Sequence, residues 1–441
     1  MRQGGVRVKR IWRKMLLCAV VTALAAVLSG CVMDSTVEDL FTLPQPQIEY
    51  KELSNTIAQL LSDGYEYASP TAGQNIQTVQ MVDLDWDGRS EVVAFFRRSA
   101  DEKPLKIMLF HLSGEVYERY ATIESSGTAI ERVEYRDMNG DGHRELVVGW
   151  KIGLGVQNVA VYDVIAGQKV LMQSNYSRYS IQEMDGDGVP SLMILRADAE
   201  GASVAEFYGW RSEAMTLVHR TALSVTMAEL GSGSVVSGFL DENTPAVFIT
   251  GINEEGMAVT DILACRENGT LTNAALSPVT GLSAVIQPYR RLSPQDLDGD
   301  GIIEIPAPVV SEVPAANSNG FVDWLHCDIS GKVERVSTTY HSLSDGWYLT
   351  VPEEWRGSVA ALENQSDSQE SQTIFTVNDK AAAAVYTITG ENRENRALRG
   401  SRIVLRRRTD TVYAGEVAEG ADLTADRLRD SFRLIVSSWT N

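Results

Sequence analysis

Acidic side chains recur in this sequence at a spacing that suits a bound cation. The clearest stretch runs from Asp83 to Glu91, with aspartates at its first, third and fifth positions, Gly88 at its sixth and a glutamate at its ninth. Oxygens at alternating positions, a glycine for the sharp turn and a later carboxylate are what a short loop needs to wrap a hard cation such as calcium. This stretch therefore predicts a calcium loop.

The acidic stretch is repeated along the chain. Full copies begin at Asp137 and Asp296, a weaker copy begins at Glu183, and a degenerate fifth copy lies near Gly238. An apolar, strand-like run follows each copy, as at Val92–Phe96 after the first. Recurrence at intervals of roughly 50 residues predicts a repeat architecture.

The copies share their opening with an EF-hand loop but differ from it afterwards. Position 12, where an EF-hand has a bidentate glutamate, is Ala94, Val148 or Ala307 in the full copies. A loop with its acid at position 9, followed by a β-strand and repeated at this period, resembles the calcium loops of integrin-α-type propeller repeats, the FG-GAP and VCBS families. The resemblance covers roughly residues 75–335. It implies a calcium-binding β-propeller and says little about the partner.

The resemblance implies that the side chains at positions 1, 3, 5 and 9 are metal ligands. In the three full copies these are Asp83, Asp85, Asp87 and Glu91; Asp137, Asn139, Asp141 and Glu145; and Asp296, Asp298, Asp300 and Glu304. The weaker copy offers Glu183, Asp185 and Asp187, and ends in Ser191 instead of an acid. We expect about three structural calcium sites, with a fourth, weaker site at Glu183, and a metal-free loop near Gly238. The alternative is that these are Asp/Gly-rich β-turns whose carboxylates only cap backbone amides.

The elements that must position the loops are short antiparallel strands. Each repeat contains a strand, the acidic loop, a second strand and a hairpin whose turn carries a glycine, such as Gly114. Four such strands per repeat are typical of a propeller blade. The fold class is therefore mainly β: a β-propeller over residues 49–340, with about five countable blades, and then a small C-terminal α+β domain. The propeller range begins with a helix at Tyr50–Leu61.

The C-terminal segment, residues 341–441, loses the repeat. It contains further strand candidates, among them 373–377, 382–389 and 404–416, and then an amphipathic pattern from Leu423 to Trp439. Apolar residues at helical spacing predict one terminal helix there, capped by Thr424. Strands followed by such a helix indicate an α+β domain.

The N-terminus has the pattern of a bacterial lipoprotein signal. Residues 1–30 combine a basic start with a short apolar run, and Leu28–Cys31 resembles a lipobox. We expect cleavage before Cys31, a lipid on its sulfur, and residues 31–48 as a tether. The protein would then be anchored to the extracytoplasmic face of the bacterial cell membrane. An uncleaved N-terminal anchor is the alternative.

The net charge and the positions of the cysteines limit which ligands and which disulfides we expect. The net charge is −20, which disfavours nucleic acid as a ligand. Of the four cysteines, Cys265 and Cys327 lie outside the N-terminal signal and its anchor, at equivalent places in neighbouring repeats. Equivalent outer strands are too far apart for a disulfide, so we expect two buried free thiols.

The sequence indicates the fold more clearly than it indicates the function. Common motifs for nucleophilic, zinc and phosphate chemistry are absent from the sequence. Trp86, Trp150, Trp210 and Trp324 fit blade core better than a sugar-stacking rim. We therefore expect a non-catalytic binding or scaffold module for a protein or glycan, not an enzyme. The alternative is an extracytoplasmic glycan hydrolase or lyase with its site in the propeller channel or at the domain junction. Its carboxylate pair would be hidden among the acidic residues of the loops.

Overall fold

The structure is a computed structural model. It describes residues 48–114, 116–165, 167–184, 186–266, 269–309, 320–367 and 369–435. The predicted signal peptide, Cys31, almost all of the tether, and Asp185 lie outside the described residues.

Antiparallel β-sheets dominate the described chain, and the first three follow the first three repeats. Sheet 1 contains β1 (Glu66–Tyr67), β2 (Val79–Val82), β3 (Glu91–Arg97), β4 (Leu105–Ser113) and β5 (Val116–Ser125). Sheet 2 contains β6 (Ala129–Arg136), β7 (Glu145–Gly153), β8 (Val156–Asp163) and β9 (Lys169–Tyr176). Sheet 3 contains β10 (Arg178–Gln182), β11 (Ser191–Ala197), β12 (Ser203–Arg211) and β13 (Ala214–Ala222). Sheets 2 and 3 each run in sequence order, as a meander does.

Two more sheets follow the fourth and fifth repeats, and a sixth belongs to the C-terminal segment. Sheet 4 contains β14 (Ser234–Asp241), β15 (Thr244–Ile252), β16 (Met257–Cys265), β17 (Leu271–Asn273) and β18 (Ile286–Pro288). Sheet 5 contains β19 (Ile305–Pro308), β20 (Phe321–Cys327), β21 (Val333–Ser342), β22 (Trp347–Thr350) and β28 (Phe432–Leu434). Sheet 6 contains β23 (Val359–Asp367), β24 (Glu370–Val377), β25 (Lys380–Thr389), β26 (Ile403–Arg407) and β27 (Thr411–Val417).

Successive sheets pack face to face, which explains the continuous apolar runs after the acidic loops. Val148 of β7 belongs to one buried cluster with Phe95 of sheet 1, and its neighbour Val147 belongs to another with Leu192 of sheet 3. Because neighbouring side chains on a strand point to opposite faces, a strand between two sheets is apolar at every position. Similar clusters join sheet 3 to 4, sheet 4 to 5 and sheet 5 to 6.

The mainly β class is therefore confirmed, and most of the predicted strands are present. The described chain divides into two compact units, one ending at Leu60 and including Ser113–Tyr117, the other comprising Leu61–Leu112 and the chain from Glu118 onward. The predicted N-terminal helix is present as α1 (Ile48–Ser62), with Leu53 and Ile57 buried, and a short helix, α2 (Met227–Leu230), lies between sheets 3 and 4 along the chain.

The predicted terminal helix is shorter than its apolar pattern indicated. Helix α4 spans Ala425–Ser431, and the side chain of Thr424 accepts a hydrogen bond from the backbone N–H of Arg427 at its start. Phe432–Leu434 then form β28, which pairs with β22. The prediction of one helix from Leu423 to Trp439 is thus wrong over Phe432–Leu434, because the edge of sheet 5 offers backbone partners that override the local periodicity. Residues 436–441 lie outside the described chain.

The C-terminal segment shares a sheet with the last repeat. Strand β21 runs from Val333 to Ser342, across the expected boundary at residue 341, and β22 and β28 extend the same sheet. The remaining segment forms sheet 6 with two short helices, α3 (Arg393–Arg396) and α4. The division into propeller and C-terminal domain stays a prediction, but both ends of the segment are tied to sheet 5.

Both predicted free thiols are unbridged. Cys327 is buried and Cys265 is half-buried, so the expectation of two buried thiols is met only by Cys327. No helix of the described residues is long and apolar enough to span a membrane.

Candidate metal centre and adjoining cavity

The acidic loops precede the second strand of their repeats. The first joins β2 to β3, the second joins β6 to β7, and the last is closed by a pair of backbone hydrogen bonds between Gln295 and Glu304. In the first two loops the glutamate at position 9 is the first residue of the second strand. Each loop is therefore held at both ends by strand pairing.

The three full copies share one hydrogen-bond pattern at position 9. Each glutamate is almost fully buried, and one of its oxygens accepts from the backbone N–H at position 2. The distances are 2.7 Å for Glu91 and Leu84, 2.7 Å for Glu145 and Met138, and 2.8 Å for Glu304 and Leu297. This bond folds the loop back on itself and leaves the other carboxylate oxygen for a different partner.

The aspartate at position 1 closes the turn. Its Oδ2 accepts from the N–H of the glycine at position 6, at 3.1 Å in the first loop, 3.0 Å in the second and 2.9 Å in the last. These glycines, Gly88, Gly142 and Gly301, have φ values of 87°, 89° and 89°. Glycine adopts this left-handed conformation without the steric cost that a Cβ brings. The sharp turn predicted from the sequence is therefore present.

Two of the loops bring carboxylate oxygens close enough to share one cation. The carboxylates of Asp83, Asp85 and Glu91 each offer an oxygen within 4.8 Å of the others. Those of Asp296, Asp298 and Asp300 do the same in the last loop. Asp83 Oδ1 is buried with no hydrogen-bond partner, and a buried acceptor without a partner is costly unless a cation or water occupies its site. The donor set is all oxygen, which suits calcium.

Other polar groups take part of the ligand set in the second and last loops. Asn139 Nδ2 lies 3.0 Å from both Asp141 Oδ2 and Glu145 Oε1, so the amide bridges two predicted ligands as a cation would. Presenting the amide oxygen there instead requires a rotation of the side-chain amide. In the last loop His326 Nε2 lies 2.8 Å from Glu304 Oε1. The carboxylates that converge in this loop are those of its three aspartates, and Glu304 has His326 as its partner.

Burial and crowding perturb the position-9 carboxyls. Burial raises the pKa of Glu145 to about 7, the hydrogen bond from Met138 opposes this, and the charges of Asp141 and Asp137 add to it. Burial also raises the pKa values of Glu91 and Glu304. A cation in the loop would favour the ionised form of these groups.

The two degenerate copies differ in structure from the full ones. In the third loop Glu183 accepts from Gly186 N at 2.8 Å, and Asp187 forms an ion pair with Arg211 at 2.9 Å. Asp185 lies outside the described residues. The fourth copy is a tight hairpin in which Asp241 accepts from the backbone of Asn243 and Thr244. Its aspartate acts as a turn cap, and its expected lack of metal stays a prediction.

A cavity of about 910 Å³ adjoins the first and second loops. Its lining includes Asp83 and Asp137, the aspartates at position 1 of the two loops, and Gly188 of the third. Three arginines line it as well: Arg132, Arg136 and Arg144. The loops therefore form part of a concave surface as well as a candidate metal centre.

Trp86, at position 4 of the first loop, lies in this cavity. Its side chain is 62% exposed, whereas Trp150 and Trp324 are buried and Trp210 is half-buried. The core assignment made from sequence is therefore wrong for Trp86. The sequence carried a signal for this: the other acidic copies have glycine at position 4, with φ of 76°, 74° and 92°, and Trp86 adopts the same region at 58°.

Comparisons with known proteins assign no family. No protein-family model matches the chain, and no curated protein matches it. Similar solved structures include an exo-β-1,3-galactanase from Phanerochaete chrysosporium, at 10% identity over 81% of this chain and 90% of that one, with a TM-score of 0.27. AofleA from Arthrobotrys oligospora matches at 9% identity over 74% and 91%, with a TM-score of 0.26. A hypothetical protein from Leishmania major matches at 10% over 64% and 93%, with a TM-score of 0.23. At these scores the likenesses carry no functional argument, and the site must be interpreted from its own chemistry.

Proposed function

We propose that this protein is a calcium-stabilised β-propeller lipoprotein that acts as a non-catalytic binding or scaffold module for a protein or glycan. One observation carries the metal assignment: three loops far apart in the sequence fold with the same hydrogen bonds, two of them bring three carboxylates together, and Asp83 Oδ1 is buried without a partner. Calcium would neutralise carboxylates that otherwise repel one another, and would stabilise the folded state by mass action.

The propeller is supported by the order of sheet packing. Five antiparallel sheets follow the five repeats, and each shares a buried cluster with the next one along the chain. In a β-propeller, such sheets are repeated around a central axis, and this arrangement leaves only short sheet edges exposed. In that arrangement the acidic loops would lie on one side of the ring and would fix the shape of that side.

The lipid anchor rests on the sequence alone. Lipidation of Cys31 would place the protein on the extracytoplasmic face of the cell membrane, where calcium is available and sugars or proteins are within reach. Metabolic labelling with a tagged fatty acid tests it: we expect label on the native chain and none on Cys31→Ala. Label retained by that variant would refute the anchor site.

A glycan hydrolase or lyase is the second candidate, and the cavity argues against it. Glycosidases use two carboxyl groups that flank the scissile bond. Once Asp83 and Asp137 are assigned to metal, Glu134 is the remaining acid among the described residues that line the cavity. One carboxyl group favours binding over hydrolysis. Release of reducing sugar from an acidic oligosaccharide, lost on Glu134→Gln, would reverse that conclusion.

Counting bound calcium tests the proposal directly. The purified protein is dialysed against calcium, and the bound metal and the melting temperature are measured with and without a chelator. We expect about three ions per chain, one for each full loop, and a lower melting temperature after chelation. No bound calcium and no change in melting temperature would mean that the carboxylates serve only as turn caps.

A further inference from the structure

The exposed indole of Trp86 occupies a costly place in the fold. A non-glycine residue in the left-handed region is strained, and the equivalent residues Gly140, Gly186 and Gly299 avoid that strain. Arg144 stacks on the ring, with its Cζ 4.3 Å from the ring centroid. The side chain is 62% exposed, so much of the indole stays open to the cavity. An aromatic surface held at the expense of backbone strain points to a contact with a ligand.

The three arginines of the cavity concentrate positive charge within a strongly acidic protein. Within the described part of the chain, no ion pair within 4.0 Å involves Arg132, Arg136 or Arg144, although the protein carries a net charge of −20. Arg136 is exposed and donates to the carbonyl of Tyr135 at 3.2 Å. Arg132 lies over the ring of Tyr179 at 5.6 Å. Most of their N–H donors therefore remain available to an anionic group.

We propose that this cavity binds an acidic oligosaccharide, with one pyranose ring stacked on Trp86 and its negative group paired with the arginines. The apolar C–H face of a sugar ring fits an open indole, and a guanidinium pairs with a carboxylate or sulfate through two parallel hydrogen bonds. A polyanion such as nucleic acid would extend past three arginines onto a strongly acidic surface. This inference rests on the proposed binding function and names its ligand class.

Calcium would strengthen the site. Without metal, the three arginines share the lining of the cavity with the carboxylates of Asp83, Asp137 and Glu134. Calcium in the first and second loops would engage Asp83 and Asp137 as ligands, and would leave Glu134 as the opposing carboxylate. The local potential would then favour an anion. The first two loops also position the stack directly, because Arg144 N donates to Leu84 O at 2.7 Å.

The experiment is a calorimetric titration of the calcium-loaded protein with tetragalacturonate and with its carboxyl-reduced, neutral counterpart. We expect the acidic tetrasaccharide to bind at least about tenfold more tightly than the neutral one, and chelation of calcium to weaken it. Tetraglutamate is a third arm, because it offers carboxylates without a sugar ring. Equal binding of the neutral sugar, or of tetraglutamate, would overturn the assignment to an acidic glycan.

Two variants locate the site. Trp86→Gly supplies the residue found in the other loops, so it should remove the stacking surface without lowering the melting temperature, and should weaken binding about tenfold or more. Arg136→Gln should weaken binding in the same way. Arg406→Gln is the matched control, since Arg406 is also exposed and donates to the carbonyl of the preceding residue, Leu405, in sheet 6. Unchanged binding by Trp86→Gly would refute the site.

The outcomes separate this inference from the proposed function. Calcium binding without any binding of tetragalacturonate would overturn the inference and leave the calcium loops intact. If the protein binds tetragalacturonate but no calcium, and Trp86→Gly abolishes the binding of tetragalacturonate, the glycan site would be supported and the metal assignment refuted.

Discussion

Replacing Asp141 by asparagine separates the two roles that an acidic loop residue can have. Asp141 is exposed, and its Oδ1 accepts from the backbone N–H of His143 at 2.8 Å. Asparagine retains that acceptor. It loses only the exposed hydrogen bond that Asn139 Nδ2 donates to Asp141 Oδ2 at 3.0 Å, so the free energy of unfolding of the calcium-free protein should change by no more than about 0.5 kcal/mol. A calcium ligand loses a full charge in the same substitution.

The charge sets the size of the effect in the presence of calcium. A carboxylate about 2.4 Å from a divalent cation contributes about 3 kcal/mol, even with the dielectric constant of water. The affinity of the second loop should therefore fall by about a hundredfold. At a calcium concentration about a hundred times the native Kd, the native loop gains ~2.7 kcal/mol and the variant loop less than about 0.5 kcal/mol. Chelator competition and unfolding with and without calcium measure both quantities.

Asp328→Asn is the matched control for this prediction. Asp328 is an exposed turn residue whose Oδ1 accepts from the N–H groups of Ser330 and Lys332, at 2.8 and 3.0 Å, and it belongs to no acidic copy. Its substitution should change stability equally with and without calcium. If Asp141→Asn behaves in the same way, with native calcium affinity, then the second loop is an ordinary turn and the reasoning is refuted.

Three further predictions concern buried groups. Burial lowers the pKa of His341 to about 4, so the folded state favours the neutral ring. The protein should therefore lose up to about 3 kcal/mol of stability as pH falls from about 6.5 to 4. His341→Phe should flatten this part of the curve of stability against pH. The buried carboxylate of Asp261 accepts hydrogen bonds from Ser224 and Val225, in the segment before sheet 4, and from Asn273. Asp261→Ala should therefore lower the free energy of unfolding, measured with denaturant, by about 3 kcal/mol or more. A loss below about 1 kcal/mol would contradict this prediction. Burial raises the pKa of the Cys327 thiol to about 11, so alkylation followed by peptide mapping should leave it unmodified in the folded protein at pH 8.

The strands and the loop geometry followed from local information in the sequence. The glycine at position 6 predicted the turn, where φ is positive. The apolar run directly after position 9 predicted that the next strand begins there. Such signals lie within a few residues of the feature they predict, so the chain alone was enough for the repeats and for the start of α4 at Thr424. The propeller closure, the lipid anchor and the bound calcium stay predictions.

The tertiary structure decided the features that depend on distant partners. Phe432–Leu434 form a strand because the edge of β22 is free to pair, although their local pattern was helical. Trp86 lines the cavity with Arg144 against its indole because packing of sheet 1 against sheet 2 places the first and second loops side by side. The three arginines all belong to β6 and the loop after it, and the packing adds Asp83 and Trp86 of the first loop to their cavity. The sequence therefore determined which residues form turns, which pair in strands and which carry charge. The tertiary structure brought loops from different repeats together, and this created the site in which those charges lie.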